Sequence, residues 1–151
     1  MVRIQLWRQI LNIIIMETKF NSQICTTKEQ SERLLALGLK KETADMYYEL
    51  YGNGEHDIYP IMLSDDDIKK GQGHYGMAVF IPAWSLHRLL NLLPHKYGEY
   101  CVFANCYMWY NNHHLDIAEQ FDGSNQYEYI INCIEWLIKE GYFNKEYLCE
   151  K

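Results

Sequence analysis

The sequence predicts an α+β domain: a small, mainly antiparallel sheet of three to four strands packed with about three helices. Three observations carry that expectation. Tyr127, Ile130, Ile131, Ile134, Leu137 and Ile138 recur at helical spacing, as do Leu86, Leu89, Leu90 and Leu93. Between those two stretches, Tyr100 to Tyr110 is an aromatic and apolar run of strand composition. Finally, 151 residues suit one domain, and a chain of that size buries roughly 68–70% of its unfolded surface.

The first helix is expected near 27–37. Thr26 and Thr27 each have a Gln or Glu three residues on, the spacing of a reciprocal capping box. Leu34, Leu35 and Leu37 supply its apolar side, and Gly38 followed by Leu39 makes a stop in which Leu39 folds back on Leu34. Lys40 to Tyr51 reads as a second short helical piece, broken by Gly52-Asn53-Gly54. Residues 57–63 alternate loosely and contain Pro60, which places them on a sheet edge. Ser64 to Gly76 is the longest polar stretch and reads as a loop. A strand at 78–81 runs into a helix near 83–93, bracketed by Pro82 at its first position and Pro94 beyond its end.

Tyr100 to Tyr110 is either one long strand or a hairpin turning near Ala104-Asn105. As one strand it is apolar on both faces, so both faces need a cover, from this chain or from another. Asn111-Asn112-His113-His114 closes the strand region. The last helix, near 125–140, stops at Gly141, with Tyr142 placed for the flanking apolar contact. Residues 16–151 therefore read as one domain.

Residues 1–15 admit two readings. Met16 looks like a natural start, which would make them an upstream extension; alternatively Ile4, Trp7, Leu11 and Ile14 form one stripe of an accessory helix. A secretory leader is disfavoured, because Asn12 interrupts the apolar run and no small-residue cleavage site follows. The run is also too short to span a bilayer.

Net charge is −6, spread along the chain apart from Asp65-Asp66-Asp67. With no basic stripe, the electrostatic attraction that drives binding to phosphate backbones is missing, and nucleic acid is disfavoured as a partner. Five cysteines without a CxxC pair read as reduced thiols in a cytoplasmic protein, buried as small hydrophobes.

Several segments resemble a known family as a set: Cys25-Thr26 leading to Gln30-Ser31, Leu34-Leu35 and Leu37-Gly38-Leu39; then Thr43-Ala44-Asp45-Met46; then Ile81-Pro82-Ala83-Trp84-Ser85-Leu86; and last Ile134-Glu135-Trp136-Leu137-Ile138. In that order they resemble a family of small uncharacterised proteins of gut bacteria and of their phages and mobile elements. The resemblance runs from Met16 to about Tyr142 and does not reach residues 1–15. It implies a bacterial cytoplasmic setting and brings no catalytic residue with it.

Chemistry-bearing residues are sparse. His113 and His114 are adjacent, so on a strand they point to opposite faces. Asp116 and His74 could join His114 around a metal, but no HxH, HxxxH or HExxH spacing occurs. Asp65-Asp66-Asp67 lacks the spacing of a calcium loop, and Gly71-Gln72-Gly73-His74-Tyr75-Gly76 matches GxGxxG without the strand and helix that motif needs. No cofactor or metal is called for.

The aromatic surplus, 13 Tyr, 5 Phe and 4 Trp, points instead to a non-enzymatic interaction protein that binds a protein partner or a second copy of itself through an aromatic, mildly acidic surface. Tyr107, Trp109 and Tyr110 are the expected contact residues. Base stacking on those rings is the weaker reading, because Lys96 is the only basic residue between Arg88 and Lys139. The alternative is a small metal-dependent hydrolase or nucleotide-modifying enzyme using His74, His113, His114 and Asp116.

Overall fold

Helices and antiparallel strands combine in an α+β arrangement, with the strands divided between two sheets of three. The computed structural model describes residues 22–50, 56–60, 79–94, 100–103, 107–113 and 115–150. Residues 1–15, the polar stretch 64–76 with His74, the turn expected near Ala104-Asn105 and His114 lie outside them.

Helix α1 (Lys28–Ala36) starts as its sequence dictates. The Thr27 hydroxyl accepts the Gln30 N–H while the Gln30 side chain accepts the Thr27 N–H, so two orphan donors of the first turn are satisfied together. It ends in a Schellman motif: Gly38 N–H donates to Leu35 O and Leu39 N–H to Leu34 O, with Gly38 at φ +95°. Leu34 and Leu39 are both buried in the main core.

The tract after it departs from expectation. Lys40 to Tyr51 does not continue as helix; a single 3-10 turn (Lys41–Thr43) leads into strand β1 (Met46–Leu50). β1 is the central strand of its sheet, paired antiparallel with β2 (His56–Pro60) and β3 (Val79–Ala83). Its residues are buried on both faces, so no polar alternation marks them, and a short apolar run of this kind cannot be told from a helix by period. Pro60 lies at the end of an edge strand, as expected.

Pro82 corrects the sequence reading too. It is not the first residue of a helix but a member of edge strand β3, opposite Tyr47. An edge strand tolerates a missing N–H. Helix α2 (Leu86–Leu92) begins four residues later, after the cap Ser85, whose Oγ accepts the Arg88 N–H at 3.1 Å. Capping by a hydroxyl outcompetes proline as the start signal here.

In the second sheet the hairpin alternative holds: β4 (Tyr100–Phe103) and β5 (Tyr107–Asn112) pair antiparallel. A third strand, β6 (Ile117–Asp122), was not foreseen. Only Ile117 and Phe121 of β6 are buried, four residues apart, which leaves no period-two pattern to read. Helix α3 (Gln126–Lys139) ends in the same device as α1, with Gly141 N–H bonded to Ile138 O and Tyr142 N–H to Leu137 O.

The main core lies between α2, α3 and the inner face of the second sheet, where Met108, Tyr110 and Phe121 join Leu89, Ile130, Ile134 and Leu137. A smaller cluster of Cys25, Tyr48 and Ala83 sits against one face of the first sheet.

Candidate functional site: the outer face of the second sheet

Antiparallel register decides which side chains share a face. Cys101 lies opposite Tyr110, and Phe103 opposite Met108, which in turn faces Phe121; these belong to or pack on the core. The alternate residues point away from it. Val102 pairs with Trp109, and Trp109 with Gln120, making one row across the sheet; Tyr107 and Asp122 make the next. Val102 is 51% exposed. Tyr107 and Trp109 are half-buried, and Ala118, Gln120 and Asp122 are exposed.

The expected contact residues therefore separate. Tyr107 and Trp109 share the outer face. Tyr110, at 1% exposed, is on the opposite one. Its hydroxyl donates to Pro94 O at 3.2 Å and accepts from Asn112 Nδ2 at 3.0 Å, so its polar end is engaged inside the fold. A two-residue period separates these rings, and the adjacent pair Trp109-Tyr110 could never have pointed the same way on a strand.

The face is aromatic, aliphatic and acidic. Gln120 Nε2 donates to Asp122 Oδ1 at 3.0 Å, beside Tyr107. None of β4, β5 or β6 contains a lysine or arginine, so the cations that accompany base stacking on RNA-binding sheets are not supplied by these strands.

Of the residues considered for metal, His113 and Asp116 are described and both are exposed. Asp116 adopts φ +55° in the β5–β6 turn, a conformation Asp tolerates better than most residues. Asn112, fully buried, shapes that turn by accepting the Leu115 N–H at 3.1 Å. Among the described residues no three His, Cys, Asp or Glu side chains gather as a metal site. Nor does any described helix have the length and apolarity to cross a membrane.

Three of the four segments that carry the family resemblance meet at one buried polar node; the fourth, Ile134 to Ile138, lies on α3. Thr26 N–H donates to Trp84 O at 2.8 Å, and the Thr26 hydroxyl accepts the Trp84 N–H at 3.0 Å while pairing with Ser31 Oγ at 2.8 Å. Trp84 Nε1 donates to Thr43 Oγ1 at 3.0 Å. Asp45 accepts from both the amide and the hydroxyl of Ser85. Arg88 Nε reaches Thr43 O at 2.6 Å. These bonds satisfy buried backbone and side-chain polar groups together, so the node joins β3, α1 and α2 and reads as structural. Beside it Cys25 Sγ lies 3.7 Å from the Tyr48 hydroxyl. Burial pushes the Cys25 thiol up, and burial with the Cys25 contact pushes the Tyr48 phenol well up, so neither is an activated nucleophile.

A cleft of about 470 Å³ opens at the start of α3, lined by Ser22, Gln23, Ser124, Asn125, Tyr127 and Tyr129. Burial raises the Tyr127 phenol, and the other lining side chains named are neutral amides and hydroxyls. Among its described lining residues the cleft assembles no acid, base or nucleophile pair.

Sequence reasoning passed over Glu49. It stands in the centre of β1 at 1% exposed, and its Oε1 has no hydrogen-bond partner among the described residues. No motif marks it; its signal is a lone acid inside an apolar strand, Met46-Tyr47-Tyr48-Glu49-Leu50. No protein-family model, curated protein or solved structure matches this chain.

Proposed function

We propose that the protein works by binding a protein partner through the outer face of the second sheet, as a non-enzymatic interaction protein of the bacterial cytoplasm or of a phage or mobile element. The observation that carries this reading is the Val102–Trp109 row: an aliphatic residue left 51% exposed beside a half-buried tryptophan, on a face that also presents Tyr107. Interface centres favour aromatic residues, and a ring already half desolvated loses little water on docking.

The complementary partner surface is apolar with a basic rim. The net charge of −6 and the exposed Asp122 beside Tyr107 favour lysine or arginine there. The face lies on a hydrogen-bonded three-stranded sheet, so its backbone is already ordered before docking.

Affinity capture from bacterial lysate with the full chain, compared with the Val102→Glu/Trp109→Ala variant, tests the reading. A partner held by wild type should weaken on the variant by about thirtyfold or more, the magnitude of a central aromatic anchor. A Glu119→Gln control should hold it unchanged. A partner that ignores the double substitution, or a chain that captures nothing and stays monomeric by light scattering, would refute the assignment.

A further inference from the structure

Strand β6 ends the second sheet on one side: the order is β4-β5-β6, and among the described residues its only strand partner is β5. Natural edge strands are blunted by proline, by bulges, by shortness or by lysine. The two edges of the first sheet follow that rule, since β2 carries Pro60 and β3 carries Pro82. β6 does not. It is six residues long, has neither proline nor lysine, and keeps unbroken register from Asn112↔Ile117 to Tyr107↔Asp122. Ala118, Glu119 and Gln120 are all exposed. Consecutive strand residues point to opposite faces, so the middle of this edge is open to solvent from both. Glu119 shares a face with Phe121, whose ring centroid is 6.0 Å from that of Trp136 on α3. Trp136 in turn lies 5.9 Å from Tyr142, which is 41% exposed. An acid and a step of rings thus flank an open row of backbone donors and acceptors.

We propose that this edge takes an extended segment of another protein as a further strand, with a lysine or arginine beside Glu119 and a large apolar side chain beside Phe121. Main-chain hydrogen bonds to the open side of β6 supply affinity, and alternate side chains supply specificity. Charge selects the occupant. Glu119 and Asp122 are exposed, and β4, β5 and β6 contain no lysine or arginine, so a basic strand is attracted where an acidic one is repelled. A second copy of this chain fits poorly. Each copy carries a net charge of −6, and two β6 strands paired about Glu119 would set like carboxylates directly opposite, a destabilising arrangement. The site does not rest on the outer-face row of Val102 and Trp109. That row ends at Gln120, whereas Glu119 is opposite Tyr110 and belongs to the other face.

The test pans a phage-displayed library of random linear peptides on the full chain and titrates the enriched peptides by fluorescence anisotropy. They should share a lysine or arginine two positions from a large apolar residue, the spacing of Glu119 and Phe121. Glu119→Lys changes an exposed side chain and should weaken binding about tenfold or more. Methylating the backbone nitrogens of a peptide one at a time should abolish binding at alternate positions and spare those between, because an added strand turns every second N–H to its neighbour. Val102→Glu/Trp109→Ala should leave the peptides bound, so this site and the outer-face docking stand or fall separately. A library that yields no binder, enriched peptides without a basic residue, binding that survives Glu119→Lys, or methylation effects without that alternation would overturn the proposal. So would a wild-type dimer, seen by light scattering, that Gln120→Pro dissociates, since a second copy would then hold the edge.

Discussion

Replacing Thr26 by valine keeps the volume and shape of a fully buried side chain and deletes one hydroxyl. That hydroxyl accepts the Trp84 N–H at 3.0 Å and pairs with Ser31 Oγ at 2.8 Å. The backbone donor of Trp84, itself fully buried, would lose this acceptor in the folded state while gaining water in the unfolded one. An orphaned buried donor costs about 1–3 kcal/mol, and the lost hydroxyl pair adds about 1 kcal/mol. The expected destabilisation is thus about 2–4 kcal/mol. With a urea m-value of about 2 kcal/mol/M, the unfolding midpoint should fall by about 1–2 M with no change in slope. Ser31→Ala makes the informative comparison. It removes the same hydroxyl pair but leaves Thr26 bonded to Trp84, so it should cost only about 1 kcal/mol. Equal effects of the two substitutions, or a Thr26→Val midpoint shift below about 0.3 M, would refute the claim that this threonine is there to satisfy the Trp84 amide.

Other outcomes follow from local geometry. Gly38→Ala places a Cβ at φ +95°, where open space surrounds it; the cost is backbone strain alone, about 1–2 kcal/mol by urea titration, whereas a null effect would mean the Schellman turn re-forms without glycine. Native labelling with a thiol reagent should modify exposed Cys149 quickly and spare Cys25 and Cys133, whose thiols burial pushes up and shields; mass spectrometry showing Cys133 modified in folded protein would contradict that packing. Glu135 is held below the usual carboxylate range, first by its hydrogen bond from Arg33 and then by that from Lys139. A depressed carboxyl stabilises the fold above its unfolded value, about 4.3, and that contribution is lost as pH falls through the folded value. The melting-temperature gap between wild type and Glu135→Gln should therefore be constant from neutral pH to about pH 5 and shrink below about pH 4; a gap that widens in acid would reverse the assigned sign.

Much of the helical part of this fold is legible in the chain. The capping box at Thr27–Gln30 and the glycine stops at Gly38 and Gly141 are local devices. They satisfy helix-end groups from residues within one turn, so sequence neighbours alone specify them. The aromatic strand region is legible as composition, and so is the α+β class. Strand order and partnership are not. β1 lies under neighbours on both faces and offers no alternation to read, while β6 shows only Ile117 and Phe121 to the core. Pro82 misleads because its meaning depends on lying at an edge, a property of the assembled sheet and not of the chain.

The candidate sites divide in the same way. Abundant tyrosine and tryptophan, a mild negative charge and the lack of metal-ligand or nucleophile spacings are fixed by composition and order alone. Which rings face outward was decided by the register of β4, β5 and β6, which turned Tyr107 and Trp109 to solvent and sent Tyr110 inward. Strand order likewise left β6 at an edge, with Ala118, Glu119 and Gln120 exposed. Side-chain period is encoded residue by residue, but the partner that makes a face open, covered or charged comes from a strand elsewhere in the sequence, and only folding chooses it.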